Sequence, residues 1–275
     1  MHAAEARQTL VDAAHEAGRI ALAYFKAGER TLARVEFKGG GSPVTEADLA
    51  VNEFLRKQLR PRFQDAGWLS EETEDDPDRL SRELVIVVDP IDGTRAFVAG
   101  DPRWTVSIAL VRFGRPVAGV IYAPALEETY AASLAGGATR NGERIKVSAR
   151  AVLEGARIGG PRALTEIVAR ASEISLSLEP KIPSLAYRIA LVASGALDLA
   201  LACDKAHDWD VAAADLVLSE AGGRLVDANG EPLTYDRAET LRPILVAAPR
   251  RLLDAAVAAV GAARRGPSLT GALHV

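Results

Sequence analysis

Two carboxylates, a proline and a glycine stand within Asp89-Pro90-Ile91-Asp92-Gly93-Thr94, directly after the apolar run Leu84-Val85-Ile86-Val87-Val88. Such a run predicts a buried strand, and a buried strand ending in two acids is costly unless a cation neutralises them. Strand ends that pass into glycine turns are also where α/β proteins hold ligands, phosphates above all. The segment points to a metal ion and an anionic substrate.

Four other segments carry groups that could join it. Leu69-Ser70-Glu71-Glu72 opens an acidic run through Asp76. Glu72, Glu74, Asp75 and Asp76 read as a solvated loop, whereas Glu71 sits at a predicted strand end, as Asp89 does. Thr45 is a natural N-cap with Asp48 at its N3 position, and taken alone Asp48 is a capping acid. His207-Asp208-Trp209-Asp210 joins a predicted strand to a predicted helix, so Asp210 is a helix-start acid. Lys38 precedes Gly39-Gly40-Gly41 and reads as a basic, mobile loop.

The elements that must position these residues follow from periodicity. Leu10, Val11, Ala14, Ala17, Ile20, Ala21, Tyr24 and Phe25 predict a helix from about Glu5 to Lys26. A second helix after Thr45 buries Leu49, Val51, Phe54, Leu55 and Leu59 and stops near Pro61. Strands are predicted at 84–88, 105–111, 117–122 and 129–133, with Gly114-Arg115-Pro116 as a hairpin connection. After Leu153 strands (156–158, 197–202, 244–247) alternate with helices (163–171, 185–193, 209–221, 250–262). The expectation is an α+β half over residues 1–150 and an α/β half over 151–275, with a tail from Arg264 to Ser268 that frays.

Bulk properties narrow the class. A chain of 275 residues with 25% charged residues and a net charge of −4 offers no basic face for a nucleic-acid polymer. The single cysteine, Cys203, excludes an intramolecular disulfide framework and reads as a small core residue. No basic-then-apolar leader opens the sequence and no apolar stretch nears the roughly 20 residues of a membrane span. A cytoplasmic location without membrane partners is expected.

Taken together, Lys38, Val44-Thr45 with Asp48, Ser70-Glu71-Glu72, Asp89–Thr94, and Trp209-Asp210 with Ala212-Ala213 resemble, in order, the inositol monophosphatase superfamily. The resemblance spans nearly the whole chain. It implies an α/β protein folded as a layered αβαβα sandwich of the inositol monophosphatase and fructose-1,6-bisphosphatase type. It also implies a Mg²⁺-dependent phosphomonoesterase. Carried over residue by residue, Glu71, Asp89 and the Ile91 carbonyl hold a first Mg²⁺, and Asp89, Asp92 and Asp210 a second. A third ion beside Glu71 is common in the family. Two such ions, roughly 3.5–4 Å apart, stabilise attacking and leaving oxygens alike. Thr94 and Asp48 orient and deprotonate the attacking water, while the Gly93 and Thr94 amides and Lys38 hold phosphate oxygens. Inhibition by Li⁺ and pairing as a homodimer are further implications.

The substrate is expected to be a small phosphate ester. Inositol-specific relatives carry a glutamate six residues before the Trp-Asp tryptophan, where this chain has Cys203, a poor polyol acceptor. Gly41–Asp48, Leu69–Glu72, Thr105–Leu110 and Tyr122-Ala123-Pro124 are more similar to the bacterial 3'(2'),5'-bisphosphate nucleotidase branch. That branch converts adenosine 3',5'-bisphosphate to AMP and phosphate. A second anion site is then needed; Arg162, after Gly159-Gly160-Pro161, and Arg188 are the candidates, each otherwise an ordinary surface arginine. The branch's Ser-Leu-Lys is broken here, since Ser184-Leu185 is followed by Ala186. His207 faces the sugar or base, or is a structural histidine. Inositol-1-phosphatase, histidinol-phosphatase and a regulatory binding protein of the same fold are the alternatives.

Overall fold

The computed structural model describes residues 2–265. Helix α1 (Ala3–Leu22) buries Ala6, Leu10, Ala13, Ala14, Ala17 and Ala21, a face of small residues that lets it lie close to a sheet. It ends before the expected Lys26. The Tyr24 carbonyl is taken instead by the Leu32 N–H and the Thr31 hydroxyl, tertiary bonds that stop the helical ladder. A hairpin of β1 (Val35–Phe37) and β2 (Pro43–Thr45) carries the glycine loop and feeds α2 (Glu46–Leu59). Thr45 and Asp48 form the expected capping box. Val51, Leu55 and Leu59 are buried as expected, but Leu49 is half exposed because it points away from the sheet.

Next come β3 (Gly67–Ser70), β4 (Leu84–Asp92), α3 (Thr94–Ala99), β5 (Thr105–Arg112), β6 (Arg115–Ala123), β7 (Glu128–Ser133), β8 (Gly137–Arg140) and β9 (Glu143–Arg144). They make a seven-stranded sheet in sequence order, antiparallel except for the β3–β4 pair. The β5–β6 hairpin is the predicted one but turns earlier, at Phe113 and Gly114, both at positive φ, so that Arg115 and Pro116 already belong to β6. The short β8 and β9 carry no strong period and were not anticipated.

The rest of the chain alternates: β10 (Arg157–Gly159), α4 (Arg162–Ser172), β11 (Ser177–Leu178), α5 (Leu185–Ala193), β12 (Leu199–Ala202), β13 (Ala206–His207), α6 (Asp208–Glu220), β14 (Gly223–Asp227), β15 (Leu241–Arg242), β16 (Leu245–Pro249) and α7 (Leu253–Arg265). The second sheet runs β11-β10-β12-β16-β14, parallel over its first three strands, while β13 and β15 pair separately. Of the tail expected to fray, Arg264 and Arg265 close α7, and residues 266–268 lie outside the described residues.

Three cores define five layers. One lies between α1 and α2 and the first sheet, one encloses α5 and α6 between the two sheets, and one lies between the second sheet and α4 and α7. This is the expected αβαβα sandwich. Its consequence for function is local: α5 and α6 start where β4 ends, so helix N-termini from the second half meet acids from the first.

Candidate active site

Strand β4 carries its buried valines and Ile86 up to Asp89, after which the pairing with β5 shifts register between Asp89 and Asp92. The bulge turns both acids toward one cleft. The parallel partner β3 stops at Ser70, opposite Val88, and the Glu71 N–H donates to the Val88 carbonyl, which brings Glu71 beside Asp89. Gly93 then sits at φ 93°, a left-handed conformation that favours glycine, and a Cβ there would lie 3.3 Å from the Ser184 nitrogen.

Asp89, Asp92 and Asp210 each place a carboxylate oxygen within 4.8 Å of the others. Burial, then repulsion from Glu71 and Asp92, pushes Asp89 well above the usual carboxylate range. Asp210 rises likewise through burial and Asp92. Asp92 is raised to about 6 by burial, although the Ser184 hydroxyl and the Leu185 and Ala186 amides at the start of α5 bind its charged form. The His207 N–H fixes Asp210 (2.5 Å) and the Ile91 N–H fixes Asp89 (3.1 Å). Among the described residues no lysine or arginine pairs with these three acids. Buried oxygen donors that repel one another and lack a counter-ion suit a hard divalent cation. The donor set fits Mg²⁺.

The cleft around them has a volume of about 590 Å³, and Lys38, Glu71, Asp89, Asp92, Gly93, Thr94, His207 and Asp210 line it. Asp48 is buried next to it, raised to about 7 chiefly by desolvation. Its Oδ2 takes the Thr45 N–H (2.8 Å) and hydroxyl (2.5 Å), leaving Oδ1 to the Thr94 hydroxyl at 3.3 Å. The same hydroxyl lies 3.0 Å from the Ile91 carbonyl. Glu71 faces the cleft, but its Oε1 is held by Lys38 Nζ at 2.9 Å rather than by the aspartates.

Other expectations change. Glu72, read as a solvated acid, is buried, with only 4% of its side chain exposed, and takes Lys38 Nζ at 2.7 Å; the lysine folds back over both glutamates. Arg162 opens α4 on the outer face of the second sheet, 89% exposed and paired with Glu166, so it does not reach the cleft. Arg188 is not a surface residue. It is buried on α5, its stem packed against Gly159, its Nε without a hydrogen-bond partner, and its charge felt by Asp92 and Cys203. His207 does line the cleft, stacked on Trp209 with ring centroids 4.5 Å apart. Lys181, Lys205 and Arg95 also line it and were missed, because nothing local distinguishes them from surface cations. Ser184 was missed too; its N-cap position before an apolar helix was the available signal.

A layered sandwich whose buried acids converge on an open polar cleft defines a class: metal-dependent phosphoric monoester hydrolases. The chain belongs to the inositol monophosphatase family, whose model matches residues 2–264. The family is Mg²⁺-dependent, and its members hydrolyse phosphate monoesters. Over 75% of this chain and 80% of the relative, it is 32% identical to a 3'(2'),5'-bisphosphate nucleotidase CysQ of Haemophilus influenzae. A histidinol-phosphatase of Chlorobaculum parvum is 35% identical over 83% and 88%. The solved Thermotoga maritima IMPase superposes with a TM-score of 0.79 at 28% identity, covering 92% of this chain and 96% of that one. Among the described residues no helix is long and apolar enough to cross a membrane.

Proposed function

We propose that this phosphatase removes the 3'-phosphate of a nucleoside 3',5'-bisphosphate. Glu71, Asp89, the Ile91 carbonyl, Asp92 and Asp210 would hold Mg²⁺, which would supply positive charge against the phosphate and lower the proton affinity of water. The chain itself handles the proton. Asp48, braced on one oxygen by Thr45, accepts through its other oxygen the proton that Thr94 passes on from the attacking water. As the new P–O bond forms, the ester bond breaks and the ribose oxygen leaves as the hydroxyl, taking a proton from water in the open cleft. The Gly93 and Thr94 amides and Lys38 are assigned to the phosphate oxygens. Lys38 must then exchange Glu71 and Glu72 for the substrate. Li⁺ inhibition and homodimer formation belong to the same proposal.

One observation carries the substrate choice. Arg188 is a buried guanidinium with 7% exposure, an unbonded Nε and, among the described residues, no ion-pair partner. Like Arg162 it is not among the residues that line the cleft. It sits where β10 and β12 end, next to Cys203 and behind Asp92, so a second anionic group would have to reach it past Asp92. A cation left unpaired at the carboxyl ends of parallel strands suits a second anionic group. Inositol 1-phosphate and histidinol phosphate have no such group; a 3',5'-bisphosphate does. The planar His207–Trp209 pair in the cleft supports a base-bearing substrate.

The test compares kcat/KM with Mg²⁺ for adenosine 3',5'-bisphosphate, 3'-AMP, inositol 1-phosphate and histidinol phosphate, in the wild type and in Arg188→Met. The bisphosphate should lead, and Arg188→Met should cost it about 10- to 100-fold relative to 3'-AMP, the worth of a charge-assisted contact. A preference for either inositol 1-phosphate or histidinol phosphate overturns the reading. Equal losses on all four esters would make Arg188 a support for Asp92 and remove the argument.

A further inference from the structure

The acidic segment behind Glu71 is tied to the opposite half of the chain. Arg79 lies in the short 3-10 turn Pro77–Ser81, and only 1% of its side chain is exposed. It grips Asp75 through Nε (2.6 Å) and Nη2 (2.8 Å). The same guanidinium crosses to the segment before β15, where Nη1 meets Asp236 at 2.6 Å and Nη2 meets the Arg237 carbonyl at 2.9 Å. The Asp236 N–H in turn donates to Asp208 (3.0 Å), whose other oxygen takes Arg242 Nε at 2.5 Å. Asp208 is fully buried and is the first residue of α6, directly before Trp209 and two residues ahead of Asp210. Its own N–H donates to the Thr240 carbonyl, and the Thr240 hydroxyl holds the His207 ring.

Residues 236–242 thus hold two things at once: the loop that begins with Glu71 and Glu72, and the helix start that presents Asp210. Packing alone does not call for charge here, since buried ion pairs are often replaceable by apolar residues without loss of stability. Forked guanidinium–carboxylate contacts add direction, and direction is what a metal site needs from the groups behind its ligands.

We propose that Arg79, Asp236, Asp208 and Arg242 are positioning residues that set Glu71 and Asp210 relative to each other and thereby tune Mg²⁺ affinity. The proposal rests on the metal-ligand reading of Glu71 and Asp210. It is tested by isothermal titration of the full chain with MgCl₂, without substrate, in the wild type, Asp236→Asn and Arg79→Gln. Asn tolerates the left-handed backbone of Asp236 (φ 55°), so that variant keeps the turn. Leu59→Ala, in the core between α2 and the first sheet, serves as a control for general loss of stability. The Mg²⁺ dissociation constant should weaken about tenfold in Asp236→Asn and Arg79→Gln and stay unchanged in Leu59→Ala despite its lower Tm. If Asp236→Asn lowers Tm but binds Mg²⁺ as tightly as the wild type, the network is only a structural tie and the proposal falls. If the wild type itself binds no Mg²⁺, the ligand reading fails first and the proposal with it.

Discussion

At the scale of single residues the site turns on how many negative charges are buried without cations. Asp48 shows the effect most simply. Desolvation raises it to about 7, and the Thr45 bonds only partly offset this. A base must be ionised, so activity falls as pH drops through its pKa. Bound cations lower that pKa, which places the acid limb of the pH–rate profile at or below about pH 7 when Mg²⁺ is saturating. Asp48→Asn should cut kcat by 10²-fold or more, the usual worth of a general base. What rate remains should lose the limb; a surviving limb would assign the titration to another group. Each of these acids is visible in the sequence at a strand end or a helix start, but only the family resemblance joins them: Asp89, Asp92 and Asp210 stand together, with Asp48 beside them through Thr94. Glu72 was not legible, since an acidic run reads as solvated whether or not a lysine folds over it. Arg162 and Arg188, alike in the sequence, part for a similar reason: Arg162 is exposed and Arg188 is buried. Both stand near turns, and only the layer each helix packs against decides which one is buried.

At the scale of elements, the critical unit is α6, which carries Asp210 at its start and lies between the sheets against β6. Gly119 makes the close approach possible: a Cβ there would sit 3.1 Å from Ala213 Cα and 3.2 Å from its carbonyl oxygen. Gly119→Ala should therefore push α6 outward and cost about 1–3 kcal/mol of stability, the range for overpacking. Urea unfolding in Mg²⁺ measures the loss, and an unchanged midpoint would mean the layers have slack that the geometry denies. The long elements, α2, β4 to β7, α5 and α6, follow directly from apolar periodicity and capping residues. The small ones do not. Strands β9, β11, β13 and β15 are two residues long and exist because a neighbour supplies the pairing, which leaves no period to read; β8, four residues of Gly-Ala-Thr-Arg, has hardly more. The end of α1 differs from the periodicity for a related reason: its last carbonyls close onto the Ala23, Tyr24 and Phe25 N–H groups, and the Tyr24 carbonyl just beyond is claimed by Thr31 and Leu32.

At the scale of the whole molecule, the acids make folding and metal binding one equilibrium. Asp89 and Asp210 are held well above the usual range, Asp48 is raised to about 7, and Asp92 and Asp215 to about 6, burial being the first cause of each. In the unfolded chain all five titrate near pH 3.9. Between about pH 4 and pH 7 the metal-free fold therefore keeps protons that the unfolded chain has released. Stability falls with pH wherever the native state binds more protons, so the fold should weaken as pH rises across that window. His15 and His207, lowered by burial, pull the other way, but Glu72, Asp208 and Asp236, also raised by burial, join the five acids. Asp198, lowered to about 2 by its bonds with Arg157 despite its burial, changes stability only below about pH 4 and lies outside the window. Mg²⁺ reverses the trend, since a ligand that binds only the native state stabilises it, and does so more strongly once the carboxylates have lost their protons. Calorimetry from pH 5 to 7.5 should show Tm in EDTA decreasing while the increment from added MgCl₂ grows. Asp215 lies outside the ligand set and, among the described residues, its side chain bonds only the Tyr235 hydroxyl. Asp215→Asn should therefore flatten part of the EDTA slope while leaving the Mg²⁺ increment intact. A Tm in EDTA that climbs with pH over this range would show that the buried acids are neutralised by something other than protons and metal.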